Sequence, residues 1–413
     1  MILTSRFSNS LGIVYSTIAL LLSIIATSPA VSQTRDFAAA LASVPDGGVL
    51  SLPGGDWGTL DIRKSGPSVI RSVDPSNPAV FSRMHIKEVE GLRVENISLK
   101  YKWNREDPIW RTPFEVFQSK DVILTGLRIE GDIAREGSDA DRGFPWGDGL
   151  IIRWSRNVTV ENTEIFKFYR GLRVAESDEI EIRQNNIHGL RMDGMTFSAV
   201  QDVRIIGNYI HDFDRSLNSG DHADMIQFWT DKTTRPNTGI VIRDNVLNSG
   251  KGSYTQSIFM RNEEVDQKRA GREMFYRDIL IEGNVILNAH LHGISLGESE
   301  DVVIRSNTLV QNAQGADGDP KQDVWLPRIS VAKASQNVVI EGNIAARIPE
   351  SRPGWTVDNN LEVQPYGRME PGFYGRVFAG IPAGDPTDPA SYTPLPGGPA
   401  DRPGLGATRL KAR

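Results

Sequence analysis

Apolar and polar residues alternate with period two along most of the chain, in short runs rich in Val and Ile that end in Asn or Gly. Such alternation places side chains on opposite faces of a strand. It excludes a helical repeat, whose apolar residues recur every three to four positions. The unit reads LRVENISL at Asn96, VILTGLRI at Gly126, VTVENTEI at Asn162, IEIRQNNI at Asn186, VRIIGNYI at Asn208, IVIRDNVL at Asn245, ILIEGNVI at Asn284, VVIRSNTL at Asn307 and VVIEGNIA at Asn343. Successive units lie about 22 to 39 residues apart, the range in which repeats build solenoids. Between them lie second strands such as DMIQFWT and QSIFMRN, in which Ile226/Phe228 and Ile258/Met260 point inward and their neighbours outward. The pattern predicts an all-β chain folded as a right-handed parallel β-helix, one coil per repeat. The recurrent Asn is expected to form a buried amide ladder at one corner, at a position tolerant of left-handed backbone.

The ends read differently. Arg6, the apolar run Leu11–Ala26 and the small residues Ala30-Val31-Ser32 have the layout of a secretory signal peptide over residues 1–32. A β-helix domain is expected over 33–349, opened by a short capping helix at Asp36–Val44. A Pro/Gly-rich cap and extended tail is expected over 350–413, ending in the basic Arg409–Arg413. Insertions at Lys102–Pro113, Ile133–Trp146, Asp214–Ala223, Asp231–Asn237, Glu263–Phe275 and Gln311–Leu326 read as walls around a groove.

Composition narrows the chemistry. With no cysteine, the chain has neither disulfides nor thiolate metal sites, so an exported protein of this kind must rely on a large core. A net charge of −6 argues against a general nucleic-acid binder, and signal removal would leave no stable membrane association. The sequence is silent on oligomeric state.

Candidate chemistry concentrates between Gly220 and Glu264. If the second strands stack in register, three outward columns follow. The first is Asp148, Arg170, Asp193, Asp224, Gln256 and His292. The second is Ile151, Arg173, Thr196, Gln227, Phe259 and Ser295, and the third Arg153, Ala175, Ser198, Trp229, Arg261 and Gly297. Trp229 suits stacking on a sugar face, Arg153 and Arg173 suit carboxylates, and Asp193, Gln227 and His292 complete a substrate surface. Three chemistries fit this face. One is β-elimination on a uronate, with His222 or Tyr254 as base, Lys251 or Lys232 as alternatives, and Arg261 neutralising the carboxylate. The second is inverting hydrolysis by Asp193/Asp224 or Asp221/Asp224. The third is a hard cation, possible calcium, at Asp221, His222 and Asp224.

ASVPDGGVLSLPGGDWGTLDI (Ala42–Ile62) is similar to the helix-turn-strand entry of the β-helix polysaccharide lyases of the chondroitinase B and alginate lyase type. IVIRDNVLNSGKGSYTQSIFMRNEE resembles their segment in which an Asn corner leads to a strand ending in the catalytic arginine, which implies that role for Arg261. In the preceding coil the family has two metal-binding glutamates and a catalytic lysine, and this chain has His222, Asp224 and Trp229. HGISLGESEDV (His292–Val302) resembles the GHG strand of the polygalacturonase-like hydrolases. The resemblance implies a secreted or periplasmic lyase acting on an acidic polysaccharide. Hydrolase, C5-epimerase and non-catalytic polysaccharide-binding solenoid are the alternatives.

Overall fold

The computed structural model describes residues 34–250, 254–312, 325–381 and 383–410. The proposed signal segment therefore lies outside the described residues. Each coil contributes three short strands, and corresponding strands stack in parallel into sheets of 12, 12 and 10 strands. Three parallel sheets wound by one chain around a common core are a right-handed parallel β-helix. Registers follow the period-two pattern. In the third sheet Met195 pairs with Ile226, Ile226 with Ile258 and Ile258 with Ile294, all fully buried. Phe197 and Phe228 stack at 4.6 Å inside the same column. Among the described residues no helix is long and apolar enough to cross a membrane.

The amide ladder is present, at a register that corrects part of the expectation. It runs from Asn185 through Asn208, Asn245, Asn284, Asn307 and Asn343 to Asn360. Asn245 donates Nδ2–H to Ile205 O (2.9 Å) and to Asn284 Oδ1 (3.0 Å), and its own Oδ1 accepts from Asn208 N (2.9 Å). The left-handed residue is the one before each ladder position: Asp244 at φ 55° precedes Asn245. Asn96 and Asn162 are such preceding residues, at φ 53° and 49°, and Asn186 already opens the next strand. The ladder therefore uses Asn185 instead of Asn186.

At the N-terminal end the helix Phe37–Ala42 is capped by Asp36, whose Oδ1 accepts Ala39 N–H at 3.0 Å. Phe37 meets Phe81 edge-on at 5.3 Å. At the other end Trp355–Asp358 and Leu361–Glu362 add a further rung to the first two sheets. The chain then returns over the second sheet, and Leu410 is buried. That sheet needs a cover in its last coils, because Val246, Val285, Leu287 and Val310 make its outer face apolar. Tyr374, Phe378 and Tyr392 supply the cover, and the Tyr392 hydroxyl donates to Gln311 O at 3.0 Å.

Five of the six insertions fall beside the third sheet. Lys102–Pro113, Ile133–Trp146 and Asp214–Ala223 enter its strands from the second sheet, whereas Asp231–Asn237 and Glu263–Phe275 leave toward the first. Most of Gln311–Leu326 lies outside the described residues.

Candidate active site

The columns of the third sheet pair as the sequence predicts, but the first is not outward: Asp148, Asp193 and Asp224 share the inward parity of residues such as Ile226 and Phe228 and are buried. Asp148 pairs with Arg170 and Asp224 with Gln256 in one column. Arg173, Thr196, Gln227, Phe259 and Ser295 succeed one another in the next. Ser198 pairs with Trp229 in the third. Over these strands lies a cleft of about 580 Å³. Arg173, Thr196, Gln227 and Phe259 form its floor, and His222 stands on the wall made by the Asp214–Ala223 insertion. Arg261 and Glu263 stand on the opposite wall, and His290 and His292 close one end.

Beneath the cleft runs a buried chain of charge. Asp148, fully buried, accepts from Arg173 Nη1 at 2.7 Å and lies 3.6 Å from Arg170 Nη1. Arg170 Nε donates to Asp193 Oδ2 at 3.0 Å, and Asp193 Oδ1 accepts the Asp224 N–H at 3.2 Å. Asp224 Oδ2 accepts from Gln227 Nε2 at 2.7 Å, while Asp224 Oδ1 is buried with no hydrogen-bond partner among the described residues. Three buried carboxyl groups thus share two guanidinium groups that are themselves partly exposed in the cleft. Burial pushes Asp193 up to about 6 against the pull of Arg170. Asp224 is pushed well above the usual carboxylate range, by burial and then by the charge of Asp193, with Arg215 opposing. Burial and the charge of Asp193 thus favour the protonated form of Asp224.

His222 sits above this layer, its side chain 55% exposed, with Nε2 3.7 Å from Asp224 Oδ2 and 3.5 Å from Gln227 Nε2. Burial, then the positive fields of Arg215 and Arg170, lower its pKa, so the imidazole is neutral at pH 7. Across the cleft Arg261 pairs through Nε with Asp266 Oδ2 at 2.9 Å, both side chains well exposed. An exposed pair of this kind holds weakly, so Arg261 is able to exchange Asp266 for a ligand carboxylate. His292 is pushed down to about 4 by burial and Arg328, and its Nδ1 lies 2.7 Å from Ser295 Oγ. It is a neutral hydrogen-bonding group beside Phe259, 4.9 Å between ring centroids.

The other expected residues divide. Trp229 lines the cleft and also an adjoining groove of about 370 Å³, which it shares with Arg173 and Thr196. Arg153 lies in that groove, its guanidinium 4.3 Å over the Trp154 ring. Lys232 lines the same groove. Tyr254 is not among the cleft residues: its ring meets Trp325 edge-on at 4.6 Å and Arg215 lies 5.3 Å over it. Lys251 lies outside the described residues.

Asp221 corrects the metal expectation. Its carboxylate accepts from Tyr169 Oη at 2.8 Å and from Arg191 Nε at 3.0 Å. Against burial, hydrogen bonds from Ser219 and Tyr169 and the charge of Arg191 hold its pKa low. The carboxylate is therefore spent within the protein. Among the described residues no three His, Asp or Glu side chains are arranged to hold a metal ion, so the set Asp221, His222 and Asp224 does not fit calcium. The same pairing removes Asp221 as a hydrolytic partner for Asp224.

Sequence reasoning missed His290 and Gln256 as site residues. His290, two residues before His292 in HLH, is pushed down to about 3 by burial and the neighbouring His292. Its signal was the doubled His at a corner. Gln256 lines the cleft with a buried Oε1 that has no hydrogen-bond partner among the described residues, and it stood in the predicted column unremarked.

A family model described as a right handed beta helix region matches residues 118–266. No curated protein matches the chain in sequence. Among solved structures it is similar to the Dettilon tailspike protein, at 13% identity and a TM-score of 0.48 over 76% of this chain and 59% of that one. It is similar to a surface adhesin of Streptococcus pneumoniae, at 13% identity and 0.41 over 71% and 74%. It is also similar to a periplasmic alginate epimerase, at 12% identity and 0.42 over 81% and 84%. The chain thus spans less than two thirds of the tailspike's length. A fold does not fix a chemistry, which must be argued from the site.

Proposed function

We propose that the cleft binds an acidic, uronate-containing polysaccharide and cleaves it by β-elimination. The observation that carries this reading is the layering of proton-transfer groups. The accessible one is a neutral imidazole, His222, whereas Asp224 is buried beneath it. Inverting hydrolysis needs two carboxyl groups that both reach the substrate, with a water between one of them and the sugar. Asp224 has no exposure and is not part of the cleft lining. Arg170, Arg173 and Arg261 give the cleft the cations that a polyanion requires.

In this reading the uronate carboxylate displaces Asp266 from Arg261, which stabilises the negative charge that builds on that carboxylate as the C5–H bond breaks. His222 takes the C5 proton, the C4–O bond breaks with its electron pair on the departing oxygen, and a C4=C5 double bond forms. The imidazolium returns its proton to that oxygen. Asp224 and Gln227 position the ring of His222, and Trp229 stacks on a neighbouring sugar. The N-terminal pattern of the sequence fits delivery of such an enzyme to the periplasm or the outside of the cell.

Incubation with uronate polymers, followed by absorbance of the unsaturated product near about 232 nm, tests the chemistry. Growth of that absorbance is expected. New reducing ends without it would move the reaction to hydrolysis. Deuterium uptake into an uncut polymer would make the protein an epimerase, and binding without any turnover would make it an adhesive solenoid.

A further inference from the structure

We propose that a second groove, separate from the cleft, holds the same anionic polysaccharide without acting on it. This inference rests on the acidic substrate class argued above. The groove has a volume of about 540 Å³, and none of its residues lines the cleft or the groove beside Arg153. It lies where three consecutive coils leave the second sheet: Lys100 and Glu130 occupy matched positions, Glu130 is matched to Phe166, and Lys167 follows.

Charge is the first observation. Lys100, Lys102, Arg135 and Lys167 face only Glu130 and Asp132, in a chain whose net charge is −6. The two carboxylates are already engaged. Glu130 lies between Lys167 Nζ at 3.3 Å and Lys100 Nζ at 3.4 Å, with Arg128 Nη2 at 3.8 Å. Asp132 accepts from Trp103 N at 2.9 Å and from two nitrogens of Arg135 at 2.8 and 3.0 Å. Arg128 is also paired with Glu164, which leaves Glu130 between two ammonium groups; one carboxylate cannot neutralise both, so positive charge is left over on side chains about half exposed to solvent.

The second observation is an aromatic side chain in the lining: Trp103, packed in part against the core, lines the groove, where its indole suits packing against a sugar ring. The third is a fixed floor: a Cβ at Gly131 would lie 2.0 Å from Lys167 O, so two coils run in backbone contact there. The ligand chemistry follows from the residue types. Ammonium groups accept carboxylates from many directions, which suits holding a repeating polyanion in several registers. The arginine-lined cleft instead fixes one carboxylate in one place.

The test uses the mature protein with Lys102→Glu and, separately, the pair Lys102→Glu/Arg135→Glu. Lys102→Glu, at an exposed position, keeps the test valid if the pair folds poorly. Retention is read in native gels containing alginate or polygalacturonate, with dextran as the neutral control. Turnover is read on polymer and on a short oligouronate. Retention by at least one of the two polyuronates should weaken about threefold for the single variant and about tenfold for the pair, and KM for that polymer should rise. Turnover of the short oligouronate should stay within about twofold of the wild type. Unchanged retention by both polyuronates, or equal retention by dextran, would overturn the proposal. So would a Lys102-dependent retention by duplex DNA in the absence of any by the two polyuronates. Retention needs no turnover, so the two readings fail separately. A protein that holds alginate through Lys102 but cleaves no uronate polymer refutes the lyase and keeps this groove, whereas cleavage with Lys102-independent retention does the reverse.

Discussion

Two buried polar columns run along this solenoid, and they are built on opposite terms. At the corner between the first and second sheets every polar atom of Asn245 is paired, with the coil before or the coil after. On the third sheet Asp148, Arg170, Asp193, Asp224 and Gln256 stack in a column, yet among the described residues Asp148 Oδ1, Asp224 Oδ1 and Gln256 Oε1 are buried without a hydrogen bond, Asp148 Oδ1 facing only Arg170 Nη1 at 3.6 Å. A satisfied column stabilises and specifies the stack, whereas a buried group left unpaired costs free energy unless something binds it. Cleft and frame are therefore told apart by satisfaction rather than by polarity.

If that contrast is right, substitutions in the two columns should fail in different ways. The largest effect is expected at the accessible end of the cleft. His222→Ala should lower kcat on a uronate polymer about a thousandfold, with KM and melting temperature nearly unchanged, because half of the side chain is already in water. A variant that keeps more than a tenth of wild-type kcat would remove His222 as the base. Arg261→Ala should cost about a hundredfold in kcat/KM, partly restored in Arg261→Lys, and little stability, since its pair with Asp266 is exposed. Equal loss in the Ala and Lys variants would argue for a geometric role instead of charge neutralisation.

The frame should break the other way. Asn245→Ala orphans the N–H and Nδ2–H of Asn208 and the carbonyl of Ile205, all in the dry core. A loss of about 2–3 kcal/mol in unfolding free energy is expected, with turnover at permissive temperature unaffected. Denaturant titration beside an activity assay checks both halves. Impaired chemistry in a folded variant would mean that the two columns are not independent.

Much of this was legible in the sequence because a strand's faces are set by counting. The coil-to-coil registers followed from stacking like strands and agree residue by residue, but period two also puts Asp224 on the inward parity of Ile226 and Phe228, and the first column is buried rather than outward. The ladder slipped by one at Asn186 because IEIRQNNI holds two adjacent Asn. Only the left-handed φ of Gln184, at 55°, decides that Asn185 turns inward. Asp221 was illegible for a different reason. It looked like a partner of Asp224 three residues away, but its actual partners, Tyr169 and Arg191, come from 52 and 30 residues upstream. Loop residues such as Tyr254 carry no periodicity that fixes where they point, and its ring went to Trp325. The closing segment was read as a cap and extended tail, and an apolar outer face at Val246, Val285 and Val310 accounts for its packing as a cover over the second sheet.

The smallest expected effect tests the unsatisfied column most directly, because it makes the column's charge visible in stability. Asp193 titrates near 6 in the folded protein against an ordinary 3.8, and Asp224 is raised as well. Between those values the folded state binds more protons than the unfolded one, so the stability that these groups contribute is complete below about 3.8 and declines as pH rises through about 6. Carboxylates held low, Asp221 among them, contribute with the opposite sign and lose their share only on acidification. The two must be separated by difference. Unfolding free energy of the wild type minus that of Asp193→Asn/Asp224→Asn should therefore fall from pH 4 to pH 7, by on the order of 1–2 kcal/mol. A difference that stays flat across this window would mean that the two aspartates are solvated, and the contrast with the asparagine ladder would lose its physical basis.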